Sequence, residues 1–220
     1  YLKNLARNIS EKSSKVRPPL TTELLAEESE TTHLSVMTEN GDSVAMTITL
    51  NGNYGSGVVS PEFGVVLNNE MDDFTTRPGE PNMFGLIQGS ANQIAPGKRP
   101  LSSMSPTLVL KDGKTVMSVG SPGGPRIISA VYQVLYRVLV NRWDIDRAIQ
   151  TPRLHHQFLP NKVFVDPAGW TPESIEGLKA RGHEVTSDWP VAKVYGIVKR
   201  EDGLLEGAYD SRGEGGVHGF

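Results

Sequence analysis

Apolar and polar residues alternate on either side of Asn40-Gly41-Asp42, in "THLSVMTE" and in "SVAMTITL". Period-two alternation around an Asn-Gly turn predicts a β-hairpin. A second hairpin is predicted in "PTLVLKDGKTVMSVG", with Asp112-Gly113 at its turn, and "GVVLNN" reads as a short buried strand. The period then changes. Ile127, Ile128, Val131, Val134, Leu135, Val138 and Leu139 recur at helical spacing, and Pro125 suits the first helical turn. "DIDRAIQ" predicts a shorter helix capped by Asp144 and ended before Pro152. "TPESIEGLKARG" predicts a third, with Thr171 as cap, Pro172 at its first position and Gly182 as its stop. "HEVTSD", "VYGIVKR" and "LLEGAYD" read as closing strands. Strands, then helices, then strands predict a layered sandwich of sheets and helices.

Two stretches lack this regularity. Residues 1–30 begin with a helix end, Leu2, Leu5 and Ile9 on one face, and continue as a polar segment with Pro18-Pro19, basic first and acidic after. Such composition predicts a mobile, extended segment, and the chain is expected to start partway through a longer precursor. "TTRPGEPNMFGLIQGSANQIAPGKRP" is a long loop without periodicity, the kind that serves as a lid or binding loop.

The 220 residues suffice for one sizeable domain with its own core. A net charge of −3 gives no general attraction to nucleic acid or anionic membrane. No apolar run is long enough to span a bilayer, and "YLKNLARNIS" lacks the apolar stretch of a signal peptide. Without cysteine there is no thiolate nucleophile, disulfide or cysteine metal site. A nucleophile is then Ser, Thr, Lys or a carboxylate. An internal threonine has nothing to take its proton, whereas a chain-terminal threonine has its own amine, with a pKa near ~8. In "ESETTHLSV", Thr31 stands where the polar segment meets the first strand, so a cut before it would create such a group; good strand propensity explains the same residues.

Three further clusters carry candidate chemistry, each with a plainer alternative. "GSPGGPRI" places two glycines before a helix, leaving backbone N–H groups for an anion, or simply making a turn. Glu70, Asp72 and Asp73 in "NNEMDDF" suit a substrate ammonium or form a solvated acidic turn; calcium-loop spacing is missing. Ser102 and Ser103 in "RPLSSMSPT" suit a carboxylate or satisfy loop backbone.

In this order and approximate spacing, "TTHLSV", "TLNGNYGSG", "LNNEMDDF", "KRPLSSMSPT", "GSPGG" and "PRLHHQ" resemble the small subunit of the γ-glutamyltranspeptidases, which are N-terminal-nucleophile hydrolases. The resemblance implies an α+β chain forming part of an αββα sandwich. Residues 1–30 would be the end of the large subunit and the linker to the cleavage site, and 31–220 the small-subunit catalytic domain. It implies self-cleavage between Glu30 and Thr31, after which Thr31 attacks the γ-carbonyl of glutathione or a related γ-glutamyl compound. The glutamyl group then passes to water, an amino acid or a peptide. By the same resemblance Thr49 supports the nucleophile, Gly123 and Gly124 form the oxyanion hole, and Asn51, Glu70 and Asp73 hold the amino end of the substrate. Ser102 and Ser103 hold its carboxylate, and Phe84 caps it in the lid, where lidded bacterial relatives often place a tyrosine able to bond Asn51. No cofactor or metal is implied. The partner is the rest of the large subunit, which supplies an arginine for the substrate carboxylate, and the location is periplasmic or secreted. The alternatives are a cephalosporin or glutaryl acylase, a poly-γ-glutamate-processing enzyme, or an inactive secreted binding homologue.

Overall fold

The computed structural model describes residues 2–7, 9–12, 29–188 and 190–219. The short first helix is α1, Leu2–Ala6. Most of the segment expected to be mobile, residues 13–28, lies outside the described residues.

The first hairpin pairs β1, Ser29–Met37, with β2, Ser43–Gly52, antiparallel. Gly41 makes its turn at φ 98°. The strand starts at Ser29, before the expected boundary at Thr31. The second hairpin joins β3, Thr107–Lys111, to β4, Lys114–Gly120. Asp112 and Gly113 both have positive φ there, the conformation that suits a tight hairpin turn. After the helices come β5, Leu154–His155, and β6, Lys162–Val165, which the pattern did not announce because they span two and four residues. The closing strands are β7, Glu184–Thr186, β8, Tyr195–Lys199, and β9, Leu205–Tyr209.

The strands form a four-stranded sheet ordered β3-β4-β8-β9, the β1-β2 ribbon, and a small β5-β6-β7 sheet. The ribbon packs on one face of the larger sheet, against β4 and β8. The helices α2, Arg126–Leu139, and α3, Ile145–Gln150, cover the other face. Met117 and Val119 of β4, Ile127, Ala130, Val131 and Val134 of α2, and Ile145, Ala148 and Ile149 of α3 make the core between them. Asp144 caps α3 by accepting the Arg147 N–H at 2.7 Å. Thr171 caps α4, Pro172–Ala180, in the same way through Ser174, as its sequence predicts.

Two expectations change. "GVVLNN" is not a buried strand: Val66 makes only a single bridge with Val59, and Val65 and Leu67 are exposed. The segment folds back on residues 56–60, with Leu67 N–H bonded to Val58 O, so no core stands behind it. On α2, Ile128 and Leu139 belong to the periodic set yet face outward, beside Tyr132 and Tyr136.

The ribbon inverts the usual placement of polarity. Its inner face carries His33, Ser35 and Thr47, bonded to each other and to Ser118 of β4. Its outer face carries Leu34, Val36, Val44, Met46 and Ile48, each between 40% and 54% exposed. A contiguous apolar strip of this kind marks a surface that another element covers. Among the described residues the layers are therefore ribbon, sheet and helices, and no helix covers the ribbon.

Candidate active site

Antiparallel register sets Thr31 opposite Thr49, with a bulge in β1 between Ser29 and Thr31. Thr31 Oγ1 lies 2.8 Å from Thr49 Oγ1. The Thr49 hydroxyl also reaches the Glu30 carbonyl oxygen at 3.3 Å and accepts the Asn51 N–H at 2.8 Å. A hydroxyl has one proton and two lone pairs. If Thr49 donates to the Glu30 carbonyl, it accepts from both Asn51 N–H and Thr31 O–H. It then orients the Thr31 hydroxyl and polarises the Glu30 carbonyl of the peptide bond that precedes it. The chain bends sharply after Thr49, with Asn51 at φ 74°.

That bend is tied to the acidic turn, a 3-10 helix over Glu70–Asp73. Asn69 Oδ1 accepts the Gly52 N–H at 2.8 Å, and Asn69 O accepts from Asn51 Nδ2 at 3.3 Å. Burial, a hydrogen bond to Glu70 and the charges of Glu70 and Asp72 push the Asp73 carboxyl up to about 7. Facing carboxylates resist joint ionisation, and an arriving ammonium would relieve this. Proton and ammonium then compete for Asp73. The Kd of a γ-glutamyl ligand for the processed protein is expected to rise by about tenfold per pH unit below ~7, as a single competing proton requires. Asp73→Asn should bind far more weakly and lose this slope. A wild-type Kd that stays flat from pH 5 to 8 would remove Asp73 from the amino-end role.

The lid loop is pinned to this turn by Asp72, whose Oδ2 accepts the Met83 N–H at 3.1 Å. Met83 Sδ, not Phe84, contacts Asn51, at 3.7 Å from Nδ2. Phe84 is buried at 5% exposure, and Gln157 Nε2 donates to its carbonyl. An aromatic side chain without a hydroxyl packs inward, and the flexible thioether beside it covers the amide. Ser102 accepts the Met104 N–H, so it does satisfy loop backbone while keeping a proton to donate, and Ser103 is half-buried beside it.

Among the described residues, neither the Gly123 nor the Gly124 amide donates a hydrogen bond, and Gly124 is buried. Unpaired N–H groups before a helix are suited to a developing oxyanion. Gly123 sits at φ 132°, and a Cβ there would lie 2.6 Å from Ala192 Cβ. The segment behind it is fixed by Ser121 Oγ, which donates to Lys193 O at 2.7 Å, and by Arg126, which donates to Pro190 O. Deeper, Arg153 is fully buried and bonds Ile149, Val191 and Ala192 carbonyls and Asp210. His33 sets the spacing on the other side. Its ring, bonded to Thr47 and Ser35, occupies the place where a Cβ on Gly120 would stand, 2.2 Å from Cε1. Burial lowers the His33 pKa to about 4, so the ring is neutral at ordinary pH.

A cavity of about 600 Å³ opens beside Thr31, lined by Thr31, Thr32, Pro122, Lys193, Tyr195 and residues 211–214. The structure thus brings Thr31 together with Thr49 directly, and with the glycine turn through Pro122. Asn51, Glu70 and Asp73 cluster at the end of β2. Asn69, Met83 and Lys193 escape sequence reasoning, although Asn69 lies inside the acidic motif; Asp72, named there with Glu70 and Asp73, holds the Met83 N–H of the long loop. Among the described residues no cluster of three His, Asp or Glu is placed to hold a metal ion.

The family model described as Gamma-glutamyltranspeptidase matches residues 1–220. The chain belongs to that family. It is 43% identical over 216 residues to the glutathione hydrolase proenzyme of Escherichia coli, covering 96% of this chain and 37% of that protein. The chain therefore spans little more than a third of that relative's length. A solved structure of a Helicobacter pylori gamma-glutamyltranspeptidase, the T380A mutant, superposes with a TM-score of 0.79 at 40% identity. It covers 83% of this chain and 100% of the matched one. The Bacillus anthracis transpeptidase CapD superposes less well, with a TM-score of 0.66 at 25% identity, covering 86% and 99% of the two chains. The fold is that of the N-terminal-nucleophile hydrolases, here a mixed chain of sheets and helices.

Proposed function

We propose that this chain carries the nucleophile of a self-processing γ-glutamyl transferase and hydrolase acting on glutathione and related γ-glutamyl compounds, in the periplasm or outside the cell. The observation that carries this reading is the Thr31–Thr49–Glu30 hydrogen-bond set at a bulged strand junction. In maturation, Thr31 Oγ1 attacks the Glu30 carbonyl carbon. The Glu30–Thr31 C–N bond breaks, the hydroxyl proton passes to the departing Thr31 nitrogen, and the acyl group moves to Oγ1; water then hydrolyses the ester, giving the Glu30 carboxylate and restoring the Thr31 hydroxyl. The Thr49 hydroxyl, donating to the Glu30 oxygen, stabilises charge as it develops there.

Cleavage frees the Thr31 amine. In turnover this amine takes the hydroxyl proton as Oγ1 attacks the γ-carbonyl and passes it to the leaving amine. The Gly123 and Gly124 amides face the oxyanion. Asn51, Glu70 and Asp73 hold the α-amino end, and Ser102 and Ser103 the α-carboxylate. The carboxylate pair at Glu70 and Asp73 favours an ammonium-bearing donor over the side chains that a cephalosporin or glutaryl acylase would take.

The proposed partner is an upstream large subunit of the same precursor, with residues 1–30 as its end and linker and 31–220 as the small-subunit domain. The exposed outer face of the ribbon supports this, as does the name proenzyme borne by a relative of much greater length. The test compares glutathione hydrolysis by a precursor carrying the upstream segment with hydrolysis by residues 1–220 alone. The precursor is expected to cleave before Thr31 and turn over glutathione, and the 220-residue chain to aggregate or stay inactive. No γ-glutamyl release by the cleaved precursor would overturn the activity. Equal turnover by the short chain would overturn the need for a partner.

A further inference from the structure

We infer that Lys193, on the wall of the cavity beside Thr31, binds the carboxylate of the acceptor and of the leaving group; this rests on the γ-glutamyl reading above. The residues assigned to the glutamyl end, Asn51, Glu70 and Asp73, lie at the end of β2 and do not line this cavity. What is attached to the other side of the γ-carbonyl needs separate space reachable from Thr31, and the cavity supplies it. An acceptor enters where the leaving amine departs, because the two steps are chemical reverses of each other.

The lining selects the ligand. Arg212 is already committed, to Asp166 at 3.1 Å and Asp210 at 2.8 Å. Lys193 has no ion pair among the described residues and is exposed. Its backbone is nonetheless fixed to the glycine turn. The Lys193 N–H donates to Ser121 Oγ at 3.2 Å, and Lys193 O accepts from the same hydroxyl at 2.7 Å. Its stem is held by the C-terminal strap: a Cβ on Gly213 would stand 2.4 Å from Lys193 Cδ, so only glycine lets the stem lie there. Tyr195 holds the strap in turn, donating to Glu214 O at 2.7 Å. A cation whose stem and backbone are both held loses little freedom on binding an anion. Glu214 lines the same cavity.

The chemical class is therefore an amino acid or short peptide with a free carboxylate. Its neutral amine attacks the ester carbon at Thr31. The N–C bond forms, the C–Oγ1 bond breaks, and the amine's proton passes through the Thr31 amine to Oγ1.

The test uses the processed full-length protein with a chromogenic γ-glutamyl anilide, whose leaving group has no carboxylate. Glycylglycine and glycylglycinamide serve as acceptors with and without the charge. Lys193→Met is expected to raise the KM for glycylglycine about tenfold, the scale of one charge-assisted hydrogen bond. Anilide hydrolysis and the KM for glycylglycinamide should stay at wild-type values, and Lys193→Arg should recover glycylglycine use. An unchanged glycylglycine KM overturns the inference. An equal loss with both acceptors overturns it too, because it reports a disturbed glycine turn. Wild-type protein that releases no anilide would instead bring down the activity itself.

Discussion

Thr31→Ala is expected to leave the precursor uncut between Glu30 and Thr31 and without γ-glutamyl turnover. In the proposed function both reactions need an oxygen at the position 2.8 Å from Thr49 Oγ1, and alanine supplies none. The Thr49 hydroxyl keeps its bonds to Glu30 O and Asn51 N–H, so the ribbon itself should persist. Loss of the nucleophile should lower turnover by several orders of magnitude, as in other enzymes that form a covalent intermediate. Thr31→Ser retains the oxygen but lacks the methyl group that restricts χ1. It should cleave slowly and keep part of the activity. Mass spectrometry of the purified precursor checks this directly. A new N-terminus at residue 31 in the alanine variant would mean that another group cuts the chain.

Arg153→Ala is expected to unfold the protein at a markedly lower temperature. Its guanidinium lies 2.6 Å from Asp210, both side chains fully buried, and it closes three backbone carbonyls from two distant segments. Burial and neighbouring cations press its pKa down, while Asp210 and Asp166 hold it up. Removing it leaves Asp210 with Arg212 and the Val194 N–H, but it opens a void and unpairs buried carbonyls, each worth about 1–3 kcal/mol, for roughly 3–5 kcal/mol in all. For a chain of this size that is on the order of 10 °C in Tm. The segment that Arg153 holds, Val191 and Ala192, is the backing of Gly123, so activity should fall with stability. Arg153→Lys should not rescue it, because an ammonium cannot reproduce the fork of bonds. A melting temperature within 2 °C of wild type would show that the network contributes little.

Much of this could be read from residue order. The Asn-Gly and Asp-Gly turns, the Thr171-Pro172 cap and the Asp144 cap each have a local cause, so the elements they start or end are in place. Tertiary context decided the rest. Periodicity marks Ile128 and Leu139 as apolar without saying which side of α2 the sheet would take. "GVVLNN" has strand composition but folds against an exposed loop. At the site, Thr31 is legible from its place at the start of the first strand and Thr49 only from the family resemblance; the register that sets them opposite each other comes from the structure. Met83 against Asn51 does not, because it depends on where a long irregular loop lands. Lys193 is silent in the sequence: it becomes a candidate only when Ser121 and Gly213 arrive from distant segments.

The His33 ring against Gly120 works as a spacer of fixed thickness between β1, which carries Thr31, and the end of β4 that leads into the glycine turn. A spacer resists in one direction only. The ribbon cannot be pressed closer to the main sheet without driving an imidazole into backbone, since packed interiors compress very little. Nothing comparable opposes peeling outward, because the bonds on that side are side-chain hydrogen bonds of Ser118 with Ser35 and Val44. Under the proposed self-cleavage, the ribbon would then be free to move outward as the severed segment leaves. It cannot collapse past the gap that the ring defines, so the nucleophile returns to the same working distance after each opening.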